Sequence, residues 1–329
     1  MILVVLNHVA GFCLNIDGNT PSLNAYFYEF RMPLFFFISG FVLYKHDIQW
    51  NFVYSWKFLK KKFPVQIVST AIFFLTSTYI NRQYLVDNLW MDSKAGYWFT
   101  VVLFEYFVLY SLIRTTTLML KITNYWKDFI ILVFGLLFFV LTIPSITVHI
   151  PIDQSILNLF CFKHFSYFTF FVIGTLFKKH FDSVQRILDG KLLLLVCLTL
   201  FFGLNIFREI TISVQYNLFR FLTAVTGIVI IFSFFRSRKE LFSNRTKLGK
   251  GLCYIGRRTL DIYFLHYFLL PYNLSSVVTV FHNPSIPIVE FFVSFGLSLA
   301  IISICLIISN VLRLSPVLAK WLFGVSPSK

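Results

Sequence analysis

A histidine and an arginine lie inside two consecutive apolar segments near the start of the chain. The first segment reads Met1-Ile-Leu-Val-Val-Leu-Asn-His8-Val-Ala-Gly11. Ionisable side chains are costly in lipid and by default mark a functional site. Imidazole titrates near neutral pH, so His8 can take a proton from a hydroxyl and return it to a leaving group. The alternative is a histidine that only hydrogen-bonds two packed helices, and its position does not choose between the two.

The second segment, Phe30-Arg31-Met-Pro-Leu-Phe-Phe-Phe-Ile-Ser39-Gly40, carries the arginine. A guanidinium at this place can bind a phosphate, a carboxylate or a thioester carbonyl. The alternative is an ion pair with Glu29 or Glu105 that only holds helices together. Ser39 and Gly40 are small, which predicts a close approach of another helix.

Two later apolar segments carry further candidates. Trp98 begins one of them, and a tryptophan there is either an interface anchor or a surface on which a substrate stacks. Glu105 follows seven residues later, where a carboxylate is costly unless it orients His8 or pairs with Arg31. The segment Thr259-Leu-Asp-Ile-Tyr263-Phe-Leu-His266 holds a second apolar-flanked histidine, for which a site role and a packing role stay open.

The composition is that of an all-α, polytopic membrane protein. Of the 329 residues, 57% are hydrophobic and 13% are charged, whereas soluble domains carry about 25% charged residues. The apolar residues form long blocks, which in lipid must be helical. The net charge of +15 comes from basic residues between these blocks, so it indicates membrane topology and not nucleic-acid binding. The five cysteines are scattered without a CxxC pair, and we predict no metal site.

The pattern predicts a single integral-membrane domain, residues 1–329, that forms a bundle of about ten transmembrane helices. The predicted spans are 1–14, 26–45, 63–80, 97–114, 128–144, 164–177, 191–207, 217–235, 258–273 and 286–313. Most of the 29 basic residues fall in alternate loops, which predicts that both termini are cytoplasmic. His8, Arg31, Glu105 and His266 would then lie roughly 8–12 Å below the outer surface, where one pocket could contain all four.

The first span is shorter than the others. Residues 1–14 would cover about 21 Å at about 1.5 Å per residue, whereas the hydrocarbon core is about 30 Å thick. We therefore expect the first helix to be truncated at its N-terminus.

Basic residues on the predicted cytoplasmic side are candidates for binding an anion. Lys60 and Lys61 belong to a cluster that topology already explains, but such a cluster also attracts anionic lipids or cofactor phosphates. Arg257 and Arg258 open the ninth span, and one of them is expected to pair with Asp261 for a structural purpose.

The order and spacing of these segments resemble the integral-membrane acyltransferase family 3 over essentially the whole chain. Its members O-acylate polysaccharides, glycolipids and similar acceptors, and the subgroup looks like bacterial enzymes that decorate cell-surface polysaccharides. Members carry a basic residue ten positions before the histidine that matches His8, a position that would precede Met1. The matching stretches are Ile2-Leu-Val-Val-Leu-Asn-His8-Val, Arg31-Met-Pro-Leu-Phe-Phe-Phe-Ile-Ser-Gly-Phe41, Phe58-Leu-Lys-Lys-Lys-Phe63, Gly96-Tyr-Trp-Phe-Thr-Val-Val-Leu-Phe-Glu105, Phe170-Phe-Val-Ile-Gly174 and Thr259-Leu-Asp-Ile-Tyr-Phe-Leu-His266.

The resemblance implies an O-acyltransferase of the bacterial cytoplasmic (inner) membrane. It would take an acyl group, most often from acetyl-CoA, on the cytoplasmic side and transfer it to a glycan hydroxyl on the outer side. His8 would be the general base or a transient acyl carrier. The implied acyl-donor contacts are Lys60, Lys61, Arg257 and Arg258, and the implied substrate contacts are Arg31, Ser39, Trp98, Glu105, Tyr263 and His266.

Two other functions fit the residues. A transporter or flippase of a lipid-linked glycan or a small anion would also need buried Arg, Glu and His side chains, although neither repeat symmetry nor paired broken helices are evident. An inactive remnant, truncated at its N-terminus, is the other alternative. The expected partners under the first hypothesis are acyl-CoA, a surface or lipid-linked glycan and membrane lipids, without nucleic acid or metal.

Overall fold

The computed structural model describes residues 1–16, 23–46, 48–206, 213–271, 274 and 287–325, and all regular secondary structure among them is helical. Helices satisfy their own backbone hydrogen bonds, as lipid requires. The α-helices are α1 (Ile2–His8), α2 (Leu23–Leu43), α3 (Phe52–Phe63), α4 (Ser69–Ile80), α5 (Leu85–Trp90), α6 (Trp98–Met119), α7 (Asn124–Leu141), α8 (Pro144–Thr147), α9 (Gln154–Leu159), α10 (Phe168–Lys179), α11 (Phe181–Leu188), α12 (Lys191–Ile206), α13 (Ser213–Ser237), α14 (Lys247–Arg257), α15 (Thr259–Leu265), α16 (Pro287–Leu312) and α17 (Pro316–Phe323). Two π-helical turns (Val9–Cys13 and Pro64–Val68) and three 3₁₀ helices (Lys94–Gly96, Phe162–Tyr167 and His266–Leu269) complete the described elements.

Six helical segments of the described chain are long and apolar enough to cross a membrane, which confirms a polytopic helical membrane protein. α11 and α12, which are bent by 75° relative to each other, would form a seventh span if they cross together. The six segments are Tyr26–Leu43, Phe52–Ile80, Trp98–Met119, Asn124–Leu141, Asn217–Ser237 and Ile288–Leu312.

Three of the ten predicted spans form shorter helices. In each of these spans an α-helix adjoins a π-helical turn or a 3₁₀ helix. The three are the predicted spans 1–14, 164–177 and 258–273. These changes of helix type interrupt the apolar blocks, so these spans are shorter than block length alone suggests. Residues 207, 272–273 and 286, at the ends of predicted spans, lie outside the described residues.

The basic run that the sequence analysis assigned to a loop lies on α3. Asn51 caps this helix by accepting a hydrogen bond from the backbone N–H of Tyr54 at 2.8 Å. One face packs against α6, where the rings of Phe58 and Phe107 are 5.2 Å apart. Lys60 and Lys61, at the end of this helix, are exposed.

The chain divides into two compact units. The first unit contains Met1–Phe35 and Asp182–Leu312, and the second contains Phe36–Phe181 and Arg313–Lys329.

Glycines bring two helices of the second unit close together. A Cβ atom added at Gly40 of α2 would overlap the backbone carbonyl of Phe171 on α10, and one added at Gly174 would overlap the carbonyl of Phe37. The close approach that the sequence predicts at Gly40 therefore occurs, against α10. In the same unit Thr169 donates a hydrogen bond to the carbonyl of Gly135 at 2.7 Å, which joins α10 to α7.

The first unit is held together by buried polar contacts between helices. Glu29 on α2 forms an ion pair with Arg220 on α13, with 2.7 Å between Oε2 and Nε. Asp261 on α15 accepts a hydrogen bond from Ser309 on α16. α16 also packs against α1, so it connects the two elements that carry the apolar-flanked histidines.

Candidate active site

His8 lies where α1 changes its helix type. α1 ends at His8, and the next five residues, Val9–Cys13, form a π-helical turn. Such turns are rare and occur often at functional sites, because the extra residue in the turn redirects the neighbouring side chains. Val5 and Val9, on either side of His8, are fully buried. The local backbone therefore holds the imidazole at a fixed place in the first unit.

Three aromatic rings meet at His8, two of them from a distant part of the chain. The His8 Nε2 atom is 3.2 Å from the Tyr267 hydroxyl oxygen, and the centroid of the His8 ring is 5.2 Å from that of His266. The rings of His266 and Tyr267 are 4.1 Å apart. On another side Phe12 stacks on His8 at 5.5 Å with 13° between the planes. The first unit thus joins the two histidines predicted from the sequence and adds Tyr267 to them.

The protonation pattern of His266 follows from its contacts. His266 is fully buried, and its Nδ1 atom is 3.0 Å from the carbonyl oxygen of Ile262. A carbonyl oxygen only accepts hydrogen bonds, so in the neutral ring Nδ1 carries the hydrogen and Nε2 keeps a lone pair. Nε2 has no hydrogen-bond partner among the described residues, and this buried acceptor lies in a ring next to His8.

Arg31 supplies positive charge to the same site. Its guanidinium lies 4.6 Å from the ring centroid of Tyr28, and its charge interacts electrostatically with His8. Glu29, which the sequence analysis considered as a partner of Arg31, forms an ion pair with Arg220. A delocalised guanidinium beside a general base can stabilise negative charge that develops on a carbonyl oxygen.

The remaining predicted residues of the first unit lie on α15 or directly before it. Tyr263 is buried, with its ring 6.1 Å from that of His266. Arg258 pairs with Asp261 at 3.4 Å, which confirms the pairing that the sequence predicts for one of the two arginines. Arg257 is exposed and is the arginine of this pair that faces solvent.

An aromatic stack in the second unit contains Trp98. The rings of Trp98 and His164 lie face to face, with centroids 3.7 Å apart and planes at 11°. Tyr106 fixes the backbone beneath this stack by donating a hydrogen bond to the His164 carbonyl at 2.5 Å. Tyr167 lies 6.2 Å from both rings. Flat aromatic surfaces of this kind suit the apolar faces of sugar rings.

Glu105 lies in the same unit near a buried lysine that the sequence analysis did not select. Lys94 is 5% exposed and donates three hydrogen bonds, to the carbonyl oxygens of Leu89 (2.6 Å), Met91 (2.9 Å) and Asn158 (2.9 Å). Burial lowers the pKa of the Lys94 ammonium, while the nearby Glu105 opposes this effect. Glu105 Oε2 is buried without a hydrogen-bond partner among the described residues, so it can accept a hydrogen bond from a hydroxyl.

Strained backbone surrounds the buried lysine. Lys94, Ala95 and Cys161 have φ angles of 47°, 50° and 49°, a region that non-glycine residues rarely adopt and that is concentrated at functional sites. Burial raises the pKa of the Cys161 thiol to about 12. Cys161 is therefore protonated near neutral pH and is a poor nucleophile, because the thiolate is the reactive form.

The other candidates of the second unit lie apart from this stack. Ser39 is half-buried on α2, beside the close approach at Gly40. Lys60 and Lys61 are exposed on α3, and the Lys60 ammonium lies 5.0 Å from the ring centroid of Trp56. Among the described residues, no group of three or more His, Cys, Asp or Glu side chains could hold a metal ion.

Three residues of these clusters were not predicted from the sequence: Tyr267, Lys94 and His164. Tyr267 follows His266 directly, and its position on a short 3₁₀ helix determines where its hydroxyl lies. Lys94 falls between the predicted spans 63–80 and 97–114, and His164 is the first residue of the predicted span 164–177. Neither residue carries a sequence signal that shows its burial or its stacking partner.

A family model described as an acyltransferase domain matches residues 1–307 of the chain. No curated protein and no solved structure matched the chain.

Proposed function

The chain belongs to acyltransferase family 3, and we propose that it moves an acyl group, most simply acetyl, from acyl-CoA to a hydroxyl of a cell-surface polysaccharide, a glycolipid or a lipid-linked glycan. It is a multi-pass membrane acyltransferase. The observation that supports this reaction best is the cluster of His8, His266 and Tyr267 with the charge of Arg31 nearby.

The chemistry of the transfer requires one base and one stabiliser of negative charge. His8 takes the proton of the acceptor hydroxyl while the hydroxyl oxygen attacks the thioester carbonyl. Arg31 stabilises the oxyanion that forms on this carbonyl. When the intermediate collapses, the C–S bond breaks and the CoA thiolate receives from His8 the proton that came from the acceptor hydroxyl. The products are the ester and free CoA.

Basic residues on two helices are proposed to bind the phosphates of the acyl donor. Lys60 and Lys61 on α3 and Arg257 at the end of α14 are exposed. Arg258 adds charge although it also pairs with Asp261. We place these residues on the cytoplasmic side of a bacterial inner membrane, with both termini cytoplasmic, because most Lys and Arg residues of a membrane protein stay on that side.

The acceptor is proposed to contact aromatic and acidic side chains. In the second unit, Trp98 and its partner His164 offer a stacking surface, and Glu105 offers an acceptor for a sugar hydroxyl. In the first unit, Tyr263 and His266 border His8. Ser39 on α2 is a further proposed substrate contact.

An apolar cleft favours an acceptor that carries a lipid chain. The cleft lies in the first unit between α2, α12, α13 and α16 and has a volume of about 420 Å³. Phe30 lines it and directly precedes Arg31 in the sequence. A lipid-linked glycan could place its chain in this cleft and its phosphate near the arginine. Other lining residues are Tyr26, Phe201, Gly227, Ile231 and Phe291.

The proposed function is tested by acyl transfer in cells and in proteoliposomes. The surface polysaccharide of a gene-deleted strain should lack its O-acetyl signal in proton NMR, and the signal should return with the wild-type chain but not with His8→Ala. In proteoliposomes the wild-type protein should release CoA from acetyl-CoA when acceptor is present. His149→Ala is the matched control, because His149 is exposed in the second unit.

Two results would contradict the proposal. If His8→Ala at an equal protein level restored the O-acetyl signal, His8 would not be the base. If the protein moved a lipid-linked glycan or an anion across the membrane without releasing CoA, the transporter hypothesis would replace the acyltransferase reaction.

A further inference from the structure

The Tyr267 hydroxyl engages one of the two ring nitrogens of His8. The distance between the Tyr267 oxygen and His8 Nε2 is 3.2 Å, and the two rings are tilted by 54° with centroids 5.0 Å apart. Tyr267 lies on the 3₁₀ helix His266–Leu269, directly after the buried His266. The tyrosine is thus placed by an element that is itself anchored in the first unit.

The surroundings hold the His8 ring in one orientation. Phe12 stacks on it with 13° between the planes, and His266 lies 5.2 Å away in another direction. The π-helical turn that follows His8 fixes the backbone. In this orientation the Nε2 atom of His8 faces Tyr267, and the Nδ1 atom does not.

The two nitrogens of a neutral imidazole have different roles. One carries a hydrogen and donates, the other carries a lone pair and accepts, and a neighbouring hydrogen bond decides which is which. Because Nε2 is engaged by Tyr267, Nδ1 is the nitrogen that can meet an acceptor hydroxyl. Nδ1 is a base only when Nε2 carries the hydrogen, and this hydrogen can then be donated to the phenolic oxygen.

We propose that Tyr267 is a positioning residue whose hydroxyl oxygen accepts a hydrogen bond from His8 Nε2–H, so that His8 Nδ1 takes the proton of the acceptor hydroxyl. This inference rests on the proposed function of His8 as the general base. The proton moves from the acceptor oxygen to Nδ1 and then to the sulfur of the departing CoA thiolate. Tyr267 keeps its hydrogen bond throughout and stabilises the imidazolium that forms in between.

The experiment measures two properties: the tautomer of His8 and the kinetics of one variant. The full-length protein, labelled with ¹⁵N at both histidine ring nitrogens, is reconstituted in lipid and studied by solid-state NMR at a pH where His8 is neutral, and His8→Ala identifies its signals. We expect a protonated Nε2 and an unprotonated Nδ1 in the wild type, and a mixture of both tautomers in Tyr267→Phe.

The same variant should lower kcat by roughly 10- to 100-fold, the range known for loss of the hydrogen-bond partner that orients a metal-bound histidine. The KM for acetyl-CoA should stay within about twofold, since Tyr267 does not bind the donor in this proposal. Tyr254→Phe is the matched control, because it also removes one phenolic hydrogen bond in the first unit, to Asn310 at 2.8 Å. Tyr254→Phe should keep the wild-type kcat and the wild-type tautomer of His8.

Two outcomes would overturn the inference. One is a wild-type His8 that carries its hydrogen on Nδ1, a result that does not depend on whether Tyr267→Phe folds. The other is a folded Tyr267→Phe protein with the wild-type kcat. If His8→Ala is inactive in either case, the inference about Tyr267 fails while the proposed function stands. If His8→Ala is active, the proposed function fails.

Discussion

The residue that the sequence singles out most clearly, His8, is also the residue around which the first unit arranges its rings. An ionisable group in an apolar segment is rare enough to be recognised without a structure. Its contacts with His266 and Tyr267 depend on how helices pack, and the sequence could predict only that His266 lies at a similar depth. Tyr267 was missed because one tyrosine in an aromatic-rich chain has no distinguishing spacing.

Variants of Arg31 separate the effect of its positive charge from the effect of its planar guanidinium shape. Arg31→Lys keeps the positive charge but loses the planar guanidinium, so we expect a fall in kcat of about tenfold. Arg31→Met removes the charge that stabilises the oxyanion, and we expect a loss of about 10²- to 10³-fold. Initial rates of CoA release in proteoliposomes measure both effects.

The exposed Arg82 supplies the control for these variants. Arg82→Lys should keep the wild-type rate, because Arg82 lies outside both proposed sites. A wild-type rate for Arg31→Met would show that Arg31 has a structural role and does not stabilise the transition state.

At the scale of elements, long apolar segments were predicted well and changes of helix type were not. α2, α6, α7, α13 and α16 correspond to predicted spans, because a long apolar block in lipid has to be helical. The π-helical turn after His8 and the 3₁₀ helix that starts at His266 have no comparable signal. Both local distortions arise from packing, and both lie at the candidate active site.

The cleft between α2, α12, α13 and α16 gives a prediction about helices. Ile231→Trp fills part of the cleft, so a lipid chain should fit less well. We expect the KM for a lipid-linked glycan acceptor to rise about tenfold. The variant removes part of the apolar contact between the cleft and the lipid chain, and a loss of about 1.4 kcal/mol lowers affinity tenfold. A short water-soluble oligosaccharide should be acylated at an unchanged rate.

Leu222→Trp is the matched control for this variant, since Leu222 is exposed on the same helix and does not line the cleft. Size-exclusion chromatography of both variants checks that they are folded. An equal effect of Ile231→Trp on the lipid-linked and the water-soluble acceptor would contradict a role of the cleft in binding the lipid chain.

At the scale of the whole molecule, the charge distribution predicts the orientation in the membrane, and the contacts within the chain define its compact units. Alternating basic loops predict the orientation in the membrane, whereas contacts within the chain define two compact units. The sequence predicts one domain and carries no signal for these units, because each unit combines segments far apart in the sequence. Trp98 and Glu105 belong to the second unit, whereas His8 and Arg31 belong to the first.

The predicted orientation can be measured by labelling single cysteines in intact cells. Four of the five native cysteines are buried, and Cys253 is partly exposed. Cys253→Ser therefore gives a protein with little background labelling. Val148→Cys should react with a membrane-impermeant maleimide from outside, because the loop after α7 is predicted to face outward. Lys239→Cys should react only after permeabilisation, because it lies in a basic loop.

Both positions are exposed, so the accessibility of the side chain itself does not limit the reaction. A permeant maleimide should label both variants in intact cells and serves as the control. Labelling of Lys239→Cys from outside would show that the orientation is opposite to the predicted one. The acyl donor would then bind on the other side of the membrane.

The sequence by itself determined that the chain is a helical membrane protein, which segments are apolar and which ionisable residues lie inside them. These properties follow from local composition, since lipid allows only helices with internally satisfied backbones and tolerates few charges. Only the tertiary structure decided that Tyr267 meets His8 across 259 positions, that Arg220 pairs with Glu29 and that Lys94 is buried under three carbonyl oxygens. Such contacts depend on the rotation and depth of packed helices, which side-chain shape determines and composition does not.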